Sequence, residues 1–283
     1  MEGKGAGDGA KIAEGGCSEV FVWEDADKII KLAKPNTDDE AMRREYRNTL
    51  AAWECGIPVP RPYEWLQVEG RAGIVFERIH GETLAARFMK QLQQPFVDTS
   101  ELEGEDIRLT ARILHAIHSQ SAPTHPLSSQ KESFKQNIRY TSHLTSKEKK
   151  GVMAALDRLP AKHVLCHGDP NPGNIMVRDD GSSVILDWMN ATVGNPEGDL
   201  AEYIIMIRYA VLPEDLPSEL RKSFTAFREA VIDTFMDEYT RLSGLTYEEV
   251  YPWIMPVAAR KLSADAISEE EKGQLVSFIQ QNL

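Results

Sequence analysis

The sequence predicts an α+β chain of two lobes, a small β-rich N-terminal lobe followed by a larger, mainly helical C-terminal one. Over the first 80 residues, short apolar stretches alternate with turn residues around a single helical segment. Beyond Gly81 apolar residues recur at helical spacing, with one strand-like interruption. A chain of 283 residues is long enough for two such bodies at roughly 150 residues per domain. The expected division is 1–79, a five-stranded antiparallel sheet with one helix, and 80–283.

Taken in order, Lys11–Ala13 is a short strand, and Glu19–Glu24 and Lys28–Ala33 form a hairpin joined at the turn-prone Asp25-Ala-Asp27. Thr37-Asp38-Asp39 offers helix-starting side chains, and helix formers continue to Cys55. Gly56 then stops that helix, and Pro58 and Pro60 prevent its resumption. Two strands follow, Tyr63–Val68 and Arg71–Ile79. Glu101–Ser119 has helical periodicity through Ile107, Leu109, Ile113, Leu114 and Ile117, and Gln120–Gln130 is a Ser/Pro-rich loop. The interruption is Val164–Trp188, where Ile175–Val177 and Val184–Leu186 flank the hairpin signal Asp179-Asp180-Gly181. Helices resume after Asp199, including Glu219–Leu242 and Glu248–Leu262.

Composition excludes several classes. A formal net charge of −12 argues against a nucleic-acid partner, which requires a basic face to neutralise phosphates. Cys17, Cys55 and Cys166 lie far apart, against a disulfide framework. The run His163–His167 lacks a second ligand cluster at zinc spacing. No apolar run reaches the ~18 residues of a membrane span, and Met1–Gly9 is polar and glycine-rich, without a hydrophobic signal core. The expectation is a cytoplasmic protein with no membrane partner.

The chemistry concentrates in Cys166–Asp187, which contains H-x-D-x-x-x-x-N and, after a hairpin, a second Asp. Phosphoryl transfer asks a protein for positioning and charge neutralisation rather than covalent help. Asp169 is suited to orient an attacking hydroxyl. Asn174 and Asp187 offer the hard oxygen donors that Mg²⁺ prefers. Pro170 and Pro172 stiffen the intervening loop and Gly173 lets it turn tightly. The bland alternative is a hairpin whose acids cap turns.

This stretch resembles the catalytic loop and metal-binding Asp of the protein-kinase-like fold, in its aminoglycoside phosphotransferase and choline kinase branch. His167-Gly168-Asp169 and Asp187-Trp188-Met189 stand where protein kinases carry H-R-D and D-F-G. The resemblance implies a nucleotide-binding N-terminal lobe and an acceptor site in the C-terminal lobe. Gly15-Gly16-Cys17-Ser18 lies where a phosphate loop belongs, although it departs from G-x-G-x-x-G and reads equally as a β-turn. Lys31, in Ile29-Ile30-Lys31, matches the V-A-I-K lysine that touches the α- and β-phosphates, with Lys28 and Lys34 as exposed alternatives. Glu45 stands where the family places the carboxylate that holds this lysine, with Glu40 as competitor. Main-chain groups of Glu77 and Ile79 would pair with the base edge, behind which Phe76 would sit. His167 would orient the loop. Asp199, in Gly194-Asn-Pro-Glu-Gly-Asp199-Leu-Ala201, would hold it or cap a helix, and His115 and His118 would pack behind it.

The implied activity is transfer of the γ-phosphoryl of ATP or GTP to a hydroxyl of an aminoglycoside-like antibiotic or small metabolite. Three departures from protein kinases favour a small acceptor. Gly168 replaces the loop arginine, only 11 residues separate Asp187 from Asp199, and about 80 residues follow Asp199 to build an acceptor pocket. Asp199, Glu202, Asp233, Asp237 and Glu238 are candidates to meet an ammonium group, or else solvated faces. Met189 and Asn190 replace the acidic residue common in the family after Asp-Trp, which weighs against a polycationic acceptor, and Trp188 either packs or lines that site. The alternatives are a nucleotide-binding pseudokinase without catalysis and a protein kinase.

Overall fold

The computed structural model describes residues 9–92, 104–123, 125–212, 217–264 and 267–283. Met1–Asp8 of the glycine-rich N-terminus and Glu101–Glu103 of the expected Glu101–Ser119 helix fall outside them. Contacts divide the chain into two compact units. The first comprises residues up to Leu84 with Pro123–Pro126 and Gly173–Ala191, and the second comprises Ala85–Ala122, Leu127–Pro172 and Thr192–Leu283.

The first unit is built on an antiparallel five-stranded sheet. Its strands are β1 (Lys11–Glu14), β2 (Ser18–Trp23), β3 (Asp25–Ala33), β4 (Pro62–Val68) and β5 (Arg71–Glu77), in the order β1-β2-β3-β5-β4. The period of two sorts β5 cleanly. Ala72, Ile74 and Phe76 pack with Met42, whereas Val75 joins Ile30, Leu32 and Val68 on the other face. Helix α1 (Asp39–Glu54) starts at Asp38, whose carboxylate accepts from Ala41 N–H at 2.8 Å. It ends at Gly56, whose φ of +77° suits glycine. The β2–β3 joint differs from expectation. The chain reverses at Glu24 (φ 52°), a register shift follows Val22, and Asp25 already pairs with Trp23. Asp27 is held in the strand because its carbonyl accepts from Arg78 N–H at 2.8 Å. A second sheet of this unit joins β6 (Glu82–Thr83) to β8 (Ile175–Val177) and β9 (Ser183–Ile185).

The second unit is helical. It holds α2 (Leu84–Leu92), α3 (Gly104–His118), α4 (Gln130–Tyr140), α5 (Ser146–Arg158), α6 (Pro196–Tyr209), α7 (Ser218–Ser243), α8 (Tyr247–Lys261) and α9 (Glu269–Gln281), with one antiparallel pair, β7 (Val164–Cys166) and β10 (Thr192–Gly194). Helix α6 is buried on nearly every side, and Tyr203 on it stacks on Phe235 of α7 at 4.0 Å. The Gln130 amide receives the Asn195 N–H at 2.9 Å and donates to the Asn195 carbonyl at 3.0 Å. A Cβ at Gly198 would lie 2.5 Å from that amide, which explains the small residue there. Among the described residues no helix is long and apolar enough to cross a membrane.

Candidate active site

In the first unit a cavity of about 270 Å³ is lined by Gly15 and Ser18 of the β1–β2 turn, Lys31 of β3, Glu45 of α1, Phe76 of β5, and Asn174, Asp187 and Trp188. Antiparallel pairing fixes Lys31 opposite Ile74 and Val20, and the α1 face that buries Met42 and Thr49 also buries Glu45. Lys31 Nζ donates to Glu45 Oε1 at 2.5 Å and lies 3.4 Å from Asp187 Oδ2. Two carboxylates thus share one ammonium, leaving a surplus of negative charge. Burial works against the charge on Lys31, but Glu45 and Asp187 outweigh it and hold the ammonium above its usual range. Burial pushes Glu45 up to about 7, with Asp187 adding to the rise and Lys31 opposing it.

The β1–β2 turn is closed by a hydrogen bond from Gly15 N–H to the Ser18 carbonyl at 2.9 Å, and Cys17 is exposed at its tip. Gly16 has open space around it, so a ligand can approach the backbone there. Asn174 leads into β8, and its carbonyl accepts from Leu186 N–H at 2.8 Å, one residue before Asp187. Asp187 itself has φ 58°, a left-handed conformation that costs a non-glycine residue about 1–2 kcal/mol. Neighbouring bonds hold it there. Asn48 of α1, buried, donates to the Trp188 carbonyl at 2.9 Å, and the Trp188 indole N–H donates to Ile185 O at 3.1 Å. The donor set suits a hard divalent cation: Asn174 and Asp187, whose side chains carry hard oxygens, line the cavity, and Glu45 Oε2 is a buried acceptor without a hydrogen-bond partner.

In the second unit, Asp199 of α6 braces the loop that carries Asp169. Its Oδ2 accepts from His167 N–H at 2.6 Å and its Oδ1 from Gly168 N–H at 3.1 Å. His118 Nε2 lies 3.2 Å from Oδ2, and His118 Nδ1 lies 2.7 Å from the Tyr239 hydroxyl. His118, Cys166 and Asp199 stand within 4.8 Å of one another, but Asp199 and both His118 nitrogens are engaged in these bonds. The group is a hydrogen-bonded brace. Gly168 has φ 79°, and Asp169 N–H faces His167 Nδ1 at 3.3 Å.

The sequence model of the phosphotransferase enzyme family matches residues 9–245. The chain belongs to this family. Among solved structures it is similar to a type VIII aminoglycoside-3'-phosphotransferase, 18% identical, with TM-score 0.59 over 89% of this chain and 91% of that one. It is also similar to a thermostable mutant of aminoglycoside phosphotransferase APH(4)-Ia in ternary complex with ADP and hygromycin B, 12% identical, with TM-score 0.62 over 97% and 92%. A third similar structure is the choline kinase LicA from Streptococcus pneumoniae, 14% identical, with TM-score 0.60 over 93% and 89%. No curated protein sequence matches the chain. The fold is protein-kinase-like, a small antiparallel sheet region followed by a helical one.

In this phosphotransferase the structure brings Lys31, Glu45, Asn174 and Asp187 to one cavity together with Gly15 and Ser18. Lys28 pairs with Glu24, Lys34 with Glu14 and Glu40 with Arg47, and none of these three alternatives lines the cavity. Asp169 belongs to the second unit and is not among the lining residues, nor are Glu77 and Ile79. The Glu77 side chain accepts from Arg61 N–H at 3.2 Å and pairs with Arg178 at 3.3 Å, contacts that leave the expected main-chain role of Glu77 untouched. Asp199 is not the N-cap of α6, a position held by Asn195. Trp188 packs with no exposed surface. Of the acidic candidates, Glu202 is paired with Arg260 and Lys261 and Glu238 with Arg241, whereas Asp233 and Asp237 line a surface depression on α7.

Asn48 was not signalled by any motif, because its partners are carbonyls. Replacing it with Ala strips a donor from the buried Trp188 carbonyl, an expected loss of about 1–3 kcal/mol, measurable by urea unfolding. A second prediction concerns pH. The raised Glu45 value contributes stability that is complete below about 4.5, where the unfolded carboxyl ionises, and is lost as pH rises through about 7. The full change is on the order of 3 kcal/mol. Glu45→Gln abolishes this titration, so wild type should lose stability relative to the variant between pH 5 and 8. A difference in urea midpoints that stays constant over that range would show Glu45 to be ionised throughout.

Proposed function

We propose that the chain is a small-molecule kinase, transferring the γ-phosphoryl of ATP or GTP to a hydroxyl of an aminoglycoside-like antibiotic or small metabolite. The observation that carries this reading is the single cavity in which Lys31, held by Glu45, meets Asp187 and Asn174. Its apolar side, with Val20, Ile29 and Phe76, suits a flat base, and its charged side suits phosphates. Lys31 would pair with phosphate oxygens while Glu45 keeps its ammonium in place. Asn174 and Asp187 would hold Mg²⁺, which neutralises phosphate charge when bound. Gly15–Ser18 would offer backbone N–H groups to the phosphates, and main-chain groups of Glu77 and Ile79 would meet the base. Asp169 would accept a hydrogen bond from the acceptor hydroxyl and take its proton, on a loop that Asp199 and His167 keep in place.

The similar structures support the two substrate classes, since one of them holds ADP with hygromycin B and another is a choline kinase. On this reading the first unit, through Leu84 with Gly173–Ala191, is the nucleotide-binding part, and residues from 85 onward outside that return carry the acceptor site. Incubation of the protein with ATP or GTP, Mg²⁺ and a panel of aminoglycosides, choline, sugars and amino alcohols tests it, read by mass gain of one phosphoryl group. The expected result is phosphorylation of at least one class. Measurable nucleotide binding without any acceptor product or nucleotide consumption would replace the kinase with a catalytically silent nucleotide-binding protein.

A further inference from the structure

The residue that precedes Asp169 is glycine, the residue with the greatest backbone freedom. A carboxylate that must be pre-placed therefore needs its neighbouring peptide groups fixed from outside. The group on the N-terminal side of Gly168 is fixed by Asp199, which accepts the Gly168 N–H at 3.1 Å. The group on the other side, whose carbonyl belongs to Gly168 and whose nitrogen belongs to Asp169, is met by α8. Arg260 Nη2 donates to the Gly168 carbonyl at 3.2 Å. The same guanidinium donates through Nη1 to Glu202 Oε2 at 3.0 Å, and Glu202 Oε1 accepts from Lys261 Nζ at 2.7 Å. Glu202 is buried. Burial works to raise its carboxyl, but Lys261 and Arg260 outweigh that and keep it below the usual range.

We propose that Arg260 is a positioning residue for phosphoryl transfer: clamped by Glu202, its guanidinium locks the Gly168–Asp169 peptide and so sets the direction in which the Asp169 carboxylate is presented. This rests on the reading of Asp169 as the carboxylate that engages the acceptor hydroxyl. The planar fork of arginine fits the task, because two nitrogens on one rigid plane reach two acceptors at once. Lysine would carry the charge but reach one acceptor. Protein kinases place an arginine within this loop at the position of Gly168; here the cation arrives from a helix more than 90 residues later, and it holds a carbonyl.

The test compares wild type, Arg260→Met and Arg260→Lys in the full chain, with Mg-ATP as the probe and phosphate release to water as the readout. Hydrogen exchange of the segment 166–171 is followed alongside. Arg260→Met is expected to lower kcat about 30-fold, within the range that a misplacement of about 1 Å produces, while KM for ATP stays within twofold. Exchange should quicken in the loop and not in α6 or α8. Arg260→Lys, which preserves charge and most of the packing, should recover only a small part of kcat, and it keeps the test open if the methionine variant does not fold. A kcat within threefold of wild type, or unaltered exchange in the loop, overturns the proposal. So does a loss of kcat matched by an equal rise in KM with exchange quickened throughout, since that is the mark of a merely structural residue. If wild type shows no turnover sensitive to Asp169→Asn, the kinase reading has failed by itself, and the exchange comparison still decides whether Arg260 locks the loop.

Discussion

Asp169→Asn is expected to lower acceptor phosphorylation about 10³-fold while leaving nucleotide affinity within about threefold. The substitution keeps the shape of the side chain and removes the oxygen that receives the hydroxyl proton, a contribution of typically 10²–10⁴ in rate. It should not disturb the nucleotide side. Lys31, Glu45, Asn174 and Asp187 line their cavity without Asp169. The loop brace is also spared, because His167 and Gly168 give their N–H groups to Asp199 and not to Asp169. Steady-state kinetics with the acceptor found by the panel, together with calorimetric titration of ADP, separates the two effects. A kcat within tenfold of wild type would remove Asp169 from the chemistry. A loss of ADP binding in step with activity would mean that the side chain supports the nucleotide site instead.

How far the sequence could be read depends on what each residue grips. Lys31, Glu45 and Asp187 were legible because each stands in a short run that resembles a family motif, Ile29-Ile30-Lys31, Arg43-Arg44-Glu45-Tyr46 and Asp187-Trp188-Met189, and their charged side chains meet in the structure. Asn48 and, in its contact with the loop, Arg260 grip carbonyls, and every residue has one, so nothing in the composition of the partner segment betrays those contacts. The five-stranded sheet was legible from period-two alternation, but the pairing of β6 with β8 joins segments more than 90 residues apart, and local periodicity carries no information about that. The β2–β3 joint was misplaced for a related reason. Asp25-Ala-Asp27 has turn composition, yet the reversal falls on Glu24 because the ladder of β3 continues to Asp27 and draws the chain into the sheet. Asp199 offered two readings, a cap or a brace. Only the distances to His167 and Gly168, 32 and 31 residues earlier, decide between them.

That brace yields the largest expected change in stability. Asp199 is 1% exposed and is the common acceptor of His167 N–H and Gly168 N–H, with His118 Nε2 beside it. Asp199→Ala strips all three of their partner. A buried donor left unmade costs about 1–3 kcal/mol, and the groups share one cavity, so the losses will not add in full. A total of about 4 kcal/mol is expected, or roughly 10 °C in Tm for a chain of this size. The damage should spread along the network. His118 links Asp199 Oδ2 to the Tyr239 hydroxyl through its two ring nitrogens, so without Asp199 the ring loses one of its two fixed contacts and the Tyr239 hydroxyl a fixed partner. Asp199→Asn separates charge from shape. Its oxygen can still accept one N–H, but its amide then points a donor at the other, so it should fall between wild type and alanine in Tm and lose activity with it. Differential scanning calorimetry of the three proteins settles the matter. An alanine variant that melts within 2 °C of wild type would show that water or a shifted backbone satisfies the loop, and the rigid presentation of Asp169 would then need another source.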